Sequence, residues 1–284
     1  MEEKKMKRRY AVQGILLCVF GTIFVISLGL ALFVLVSRHK AVETARKVQI
    51  TARESVIDGG LNVLGETSPE VLRPEEIVSE DDPDAEDILK AQSRHISMDF
   101  TELKKENSDI IGWLYSEGTK IDYPVLQADD NSYYMNHLFS GETNTSGSIF
   151  ADYRNTGDFS DKNTVIYGHH MRNGTMFGSI EEYREQEFYD TAPAMMLYTP
   201  EGDYLIELIS GTDENGNEQF VEFEFENEEA FTDYIDSFRE RSSFQSKVKV
   251  HPRDRLISLC TCTYVFNNAR YMLIGRLVPL YDAQ

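Results

Sequence analysis

The residues best suited to chemistry lie near the C terminus, where Cys260 and Cys262 sit in the run Ser258-Leu259-Cys260-Thr261-Cys262. Residues two apart in a strand face the same side, so both thiols should project from one sheet face. A metal site on one Cys-x-Cys pair is poorly supported. Tetrahedral zinc takes four ligands, and the remaining cysteine, Cys18, belongs to an apolar stretch far upstream. Two readings stay open on local sequence alone: a pair of small core residues, or a thiol nucleophile with a neighbour.

The following residues help to choose. Asn267-Asn268 is turn material that tolerates positive φ. A hairpin centred near Phe266 would set Cys262 directly opposite Arg270. Directly opposed side chains share a face, with Cβ atoms ~4.5–5.5 Å apart. A guanidinium beside a thiol favours thiolate and offers hydrogen bonds to a developing oxyanion. Arg276 is the rival, but six further residues at ~3.3 Å each carry it roughly 20 Å along the strand, out of reach of the same atom.

Thiol chemistry also needs a proton carrier, for which histidine is the usual residue. Of the six histidines, His39 follows the apolar stretch, His95 precedes the first helix of the domain, and His137 and His251 stand alone. His169 and His170 follow the apolar strand Thr164-Val165-Ile166-Tyr167 and then Gly168, which would place an imidazole at a sheet rim. Either could serve.

These residues need a scaffold, and the sequence describes one. The 284 residues carry 48 acids and 28 Lys+Arg, a formal charge of −20, and 41% are hydrophobic. That apolar content excludes wholesale disorder, and an acidic protein lacks the basic surface that nucleic acid requires. Three cysteines exclude a disulfide-stapled scaffold, and no repeat of 20–50 residues is visible. Strands are expected at Trp113–Tyr115, Ile121–Leu126, Ser148–Ala151, Thr164–Tyr167, Ala194–Tyr198, Tyr204–Gly211, Phe220–Phe225, Arg255–Thr263 and Arg270–Val278. Asp99-Phe100-Thr101-Glu102 reads as a capping box opening a helix that Gly112 should end. Helical patches lie at Ser132–His137, Met176–Glu182 and Glu228–Arg241. Many short, evenly spaced strands predict a mainly β barrel or sandwich with inserted helices.

The chain opens with a basic tail over residues 1–10, and Ala11–Val36 then runs 26 residues without a charge. As a helix it would span about 39 Å, enough to cross a ~30 Å hydrocarbon core with some tilt. It is too long for the apolar region of a cleaved signal peptide and lacks a small-x-small site after it. Basic residues on both sides leave orientation undecided by charge. Residues 37–95 read as a stalk: a helix-forming stretch that Gly59-Gly60 breaks, then an acidic, proline-bearing linker from Glu66 to Asp87. The folded domain is expected over residues 96–284.

At this point a family resemblance becomes specific. Val165-Ile166-Tyr167-Gly168-His169-His170-Met171, followed by Asn173-Gly174-Thr175-Met176-Phe177-Gly178, resembles the histidine segment of class B sortases. Ser258-Leu259-Cys260-Thr261-Cys262 is similar to the sortase T-L-x-T-C signature, and Arg270 falls where enzymes of this class from clostridia-like bacteria carry their arginine. Asp109–Leu114 and Ser146–Asn155 also resemble the family, so the likeness covers about residues 97–280.

The resemblance implies an eight-stranded β-barrel with N-terminal helices and a helix before the cysteine strand, carried on a single membrane helix. It implies a cytoplasmic N terminus and an extracellular catalytic domain. It assigns Cys262 as nucleophile, His169 as acid–base and Arg270 as oxyanion partner, with His170 a bystander. Ser258, Cys260 and Thr261 are the expected groove residues. The implied activity is transpeptidation: cleavage of a secreted protein's C-terminal sorting signal, of N-P-x-T-x or S/P-P-x-T-G type, and transfer to a cell-wall amine. Pilin polymerisation and hydrolysis are the alternatives. No cofactor and no metal are implied. Ser258 departs from the commoner threonine, and Cys260 adds a second thiol that suggests an oxidant-formed Cys260–Cys262 disulfide.

Overall fold

The computed structural model describes residues 2–60 and 98–280, with side chains from 20 to 53 and from 98 onward. Two compact units result, Met1–Thr44 and Ala45–Gln284. The expected acidic linker and His95 lie outside the described residues.

Helix α1 spans Glu2–Gly60. Within it, Phe20–Arg53 contains a stretch long and apolar enough to cross a membrane, and its side chains from Phe20 to Val36 are exposed. This is the chain's candidate membrane anchor. The far end of the helix, read from sequence as stalk, belongs with the barrel. Ala52 is buried, Gln49 Nε2 donates to the Asp122 carbonyl at 2.5 Å, and Arg53 pairs with the Asp122 carboxylate. Asp122 also accepts from Trp113 Nε1 at 2.9 Å.

Eight strands close a mixed barrel: β1 (Ile110–Tyr115), β2 (Asp122–Leu126), β3 (Ile149–Ala151), β4 (Asn163–Tyr167), β5 (Ala194–Tyr198), β6 (Asp203–Asn215), β7 (Arg255–Cys262) and β8 (Ala269–Pro279). The order around the barrel is β1-β2-β3-β4-β7-β8-β6-β5, closed by β5 against β1. Pairs β2/β3 and β4/β7 are parallel and the rest antiparallel. Alternation divides each strand between two environments. Ile257, Leu259, Tyr271 and Leu273 fill the barrel interior. Leu256, Met272 and Ile274 face outward beneath helix α4 (Glu228–Arg241).

That last helix is locally specified. Asn227 caps it by accepting from the Ala230 N–H at 2.9 Å, acids open it and arginines close it. Phe231, Ile235 and Phe238 form its buried stripe. The short helix α2 (Phe100–Glu106) is capped as expected, with Asp99 accepting from the Thr101 and Glu102 N–H groups. A further short helix, α3, covers Gln186–Thr191.

Three expectations need correction. Gly112 does not end α2; it lies inside β1 at an irregularity of register, where a Cβ would come within 3.0 Å of the Tyr198 carbonyl. Phe220–Phe225 is not a strand. The barrel is closed and offers it no free edge, so Phe220, Val221, Phe223 and Phe225 pack against α4 instead. The patches Ser132–His137 and Met176–Glu182 become 3-10 helices, Tyr133–Met135 and Gly178–Arg184.

Candidate active site

The β7–β8 hairpin has the register expected from sequence: Cys262 pairs with Arg270 across the last rung. Asn268 closes the turn at φ 58°, the left-handed conformation asparagine tolerates. Cys262 is exposed at the rim and Cys260 is 2% exposed beneath it. Arg276 pairs with Leu256 at the opposite end of the hairpin, where Glu207 holds it.

The histidine arrives on the neighbouring strand. β4 runs parallel to β7, and its last rung joins Tyr167 to Cys260. His169 and Cys262 each lie two residues beyond that rung, at adjacent ends of strands ~4.8 Å apart. Two further bonds continue the alignment: the Gly168 N–H donates to the Cys260 carbonyl at 3.2 Å, and the Thr261 hydroxyl donates to the Gly168 carbonyl at 2.7 Å. Gly168 is required here by close packing, because a Cβ would sit 2.5 Å from Ile149 Cδ1 and 2.7 Å from the Phe177 ring.

His169 Nε2 lies 2.7 Å from the Met135 carbonyl oxygen. A carbonyl only accepts, so Nε2 carries the proton and Nδ1 is the nitrogen left to exchange one. Arg270 Nη1 donates to the carbonyls of Ala269 at 3.1 Å and Asn268 at 3.4 Å. Among the described residues Arg270 has no carboxylate partner, which leaves its other N–H groups for a ligand.

A groove joins the three residues, lined by Asn131, Met135, Phe150, Tyr167, Gly168, His169, Cys260, Thr261, Cys262 and Arg270. It is open on one side, its lining mostly apolar with a few convergent polar groups, as suits an extended peptide. Buried Asp152 supports one wall. It accepts from Arg154 Nε and Nη2, from Asn131 Nδ2 at 2.9 Å and from the Tyr167 hydroxyl at 3.0 Å. Burial works against ionisation of Asp152, but the Arg154 hydrogen bonds outweigh it and hold the carboxyl below its usual range.

The expected groove residues separate. Thr261 reaches the groove, but its hydroxyl is spent on Gly168. Ser258 does not line the groove; it is fully buried and donates to Asn163 Oδ1 at 2.9 Å, a bond within the sheet. Cys260 lines the groove floor, and burial pushes its thiol up to about 12, with Arg270 a smaller opposing influence. Both cysteines are free thiols. A Cys260–Cys262 disulfide therefore has no thiolate to begin from on the Cys260 side near neutral pH. Asn131 and Met135 were missed in the sequence, because they come from a loop distant from both motifs and carry no local signal. Among the described residues no cluster of three or more metal-ligating side chains occurs.

No protein-family model matches the chain. Curated relatives do. It is 37% identical over 182 residues to sortase B of Listeria monocytogenes, covering 63% of this chain and 74% of that protein. Sortase B of Staphylococcus aureus is 31% identical over 195 residues, covering 68% and 80%. Among solved structures, Clostridium perfringens sortase B superposes with a TM-score of 0.61 at 34% identity, over 63% of this chain and all of that one. The Staphylococcus aureus sortase B–substrate complex gives 0.62 at 30% identity, over 69% and 92%. A closed barrel that brings thiol, imidazole and guanidinium to one rim is a sortase scaffold. This chain belongs to the class B sortases.

Proposed function

We propose that the chain is a membrane-anchored cysteine transpeptidase in which Cys262 is the nucleophile, His169 the acid–base and Arg270 the oxyanion partner. The observation that carries this reading is the convergence of three strand ends: the Cys262–Arg270 rung, with His169 two residues past the rung shared by β4 and β7. The Cys262 thiolate attacks the carbonyl that follows the threonine of a sorting signal. His169 Nδ1 protonates the leaving amine, and a thioester remains on Cys262. Neutral His169 then takes a proton from an incoming amine, which attacks the thioester and releases the thiol. Arg270, free of any carboxylate among the described residues, stabilises the oxyanion in both halves.

The substrates in this reading are secreted proteins with N-P-x-T-x or S/P-P-x-T-G-like signals, and the acceptor is a cell-wall amine. A sortase B has been crystallised with its substrate and another with a glycine tripeptide, which supports a peptide donor and an amine acceptor for this groove. Residues 11–36 anchor the enzyme as a single span, with the N terminus cytoplasmic and residues 96–284 catalytic outside the cell.

The test is ligation. Full-length protein in detergent micelles is incubated with quenched fluorescent peptides of both motif classes, with triglycine or diaminopimelate as acceptor. The expected product is the Thr-terminated acyl fragment joined to the amine, absent with Cys262→Ala. Cleavage with no joined product at any acceptor concentration would replace transpeptidation with hydrolysis.

A further inference from the structure

One carboxylate outside the groove touches the residues on the far side of both reacting groups. Glu181, in the 3-10 helix Gly178–Arg184, lies with Oε2 3.0 Å from His170 Nε2. Its Oε1 accepts the Thr263 hydroxyl. His170 directly follows His169 and Thr263 directly follows Cys262. On the near side, Thr261 already ties Gly168 to β7. The two reacting residues are thus bracketed: 168 is bound to 261, and 170 to 263 through Glu181.

Glu181 is itself fixed. Arg184 Nη2 stands 3.5 Å from Glu181 Oε1 and donates to Thr263 Oγ1 at 3.2 Å. The same guanidinium forks onto Asp213 of β6 at 2.5 and 2.6 Å and lies 4.4 Å over the Tyr271 ring. Asp213 and Tyr271 are cross-strand partners on β6 and β8. The arrangement is therefore rooted in the barrel wall rather than in a surface loop. Thr263 is buried and the His170 side chain is only 10% exposed, packed edge-on to Tyr264. By contrast, the His169 ring has a single hydrogen bond among the described residues, to Met135.

We propose that Glu181, acting through His170 and Thr263, is a positioning residue that holds the His169 imidazole in register with the Cys262 thiol. This assigns His170 a task that its place beside His169 does not announce. It rests on the reading of Cys262 and His169 as the reacting pair.

The variants are Glu181→Gln, Thr263→Val and Thr263→Ser in the full-length protein in detergent micelles, with thermal melting measured on each. Two readouts are taken. Peptide ligation gives kcat and KM separately. Alkylation of Cys262 by iodoacetamide, followed by peptide mass spectrometry that separates it from Cys18, reports the thiol without any substrate. Misplacing a reacting group costs up to roughly 100-fold. Glu181→Gln and Thr263→Val are expected to lower kcat roughly 10-fold or more with KM unchanged, and to change the alkylation rate of Cys262. Thr263→Ser, which keeps the hydroxyl, should restore both. Wild-type alkylation in Glu181→Gln and Thr263→Val overturns the proposal even if no peptide is turned over. So does a change confined to KM, or a Thr263→Ser protein as impaired as Thr263→Val. The expected alkylation differences with no Cys262-dependent ligation would instead count against the transpeptidase reading alone.

Discussion

The two ends of the β7–β8 hairpin carry the same residue type in opposite circumstances. At the far end, Arg276 is 14% exposed, donates to Glu207 Oε2 and to the Lys249 carbonyl at 2.8 Å, and stands 3.8 Å from Asp254. At the groove end, Arg270 meets only the carbonyls of its own turn among the described residues. Both project from one strand, six residues apart. What separates a structural arginine from one available to substrate is the presence of a counter-ion. The cysteines repeat the contrast over two residues. Cys260 is sealed among groove-floor side chains and its thiol is pushed up, whereas Cys262 stands exposed at the last rung.

The largest expected effect falls on the cysteines. Cys262→Ala should abolish ligation, while Cys260→Ala should lower it by no more than about tenfold, since a thiol pushed up to about 12 is protonated at working pH. Iodoacetamide at pH 8 should label Cys262 and spare Cys260 in the native protein. Cys260 should react only as pH climbs towards its folded value or on unfolding. Rapid labelling of both cysteines at pH 8 would erase the distinction.

The arginines should separate by readout. Arg270→Ala removes an oxyanion donor and should lower kcat by ~10²–10³-fold with an unaltered melting temperature. Arg276→Ala leaves Glu207, 4% exposed, without its cation and should cost about 3 kcal/mol in urea unfolding. Equal effects on stability would show that the two ends do not differ as described. The smallest effect concerns the helix that leads into β1. Asp99→Ala removes two accepted N–H bonds and should cost about 1 kcal/mol with activity retained.

Much of the site was legible because it is local. The Cys262–Arg270 register follows from a hairpin whose turn chemistry is written in Asn267-Asn268, and both alternation and turn preference act over a few residues. The helix Glu228–Arg241 was bounded correctly because its cap, charges and stripe all lie within its own sequence. Phe220–Phe225 misled for the same reason: its alternation is a local signal, but strand formation also needs a partner edge, and a closed barrel has none to give. The end of α1 was read as stalk because its polar residues, Gln49 and Arg53, look solvated until Asp122 is brought to meet them from about seventy residues away.

By itself, then, the sequence determined which residues could react, the hairpin that pairs thiol with guanidinium, and an apolar helix long enough for a membrane. These depend on periodicity, composition and turn chemistry, all short-range. Only the tertiary structure decided that His169 rather than another histidine stands beside Cys262, because a parallel β4–β7 pairing joins segments about ninety residues apart. It alone withdrew Ser258 from the groove, sank Cys260 beneath it, and set Glu181 between the neighbours of the two reacting groups. Those outcomes depend on what each side chain meets after the barrel closes, and burial and counter-ions are properties of that closed arrangement.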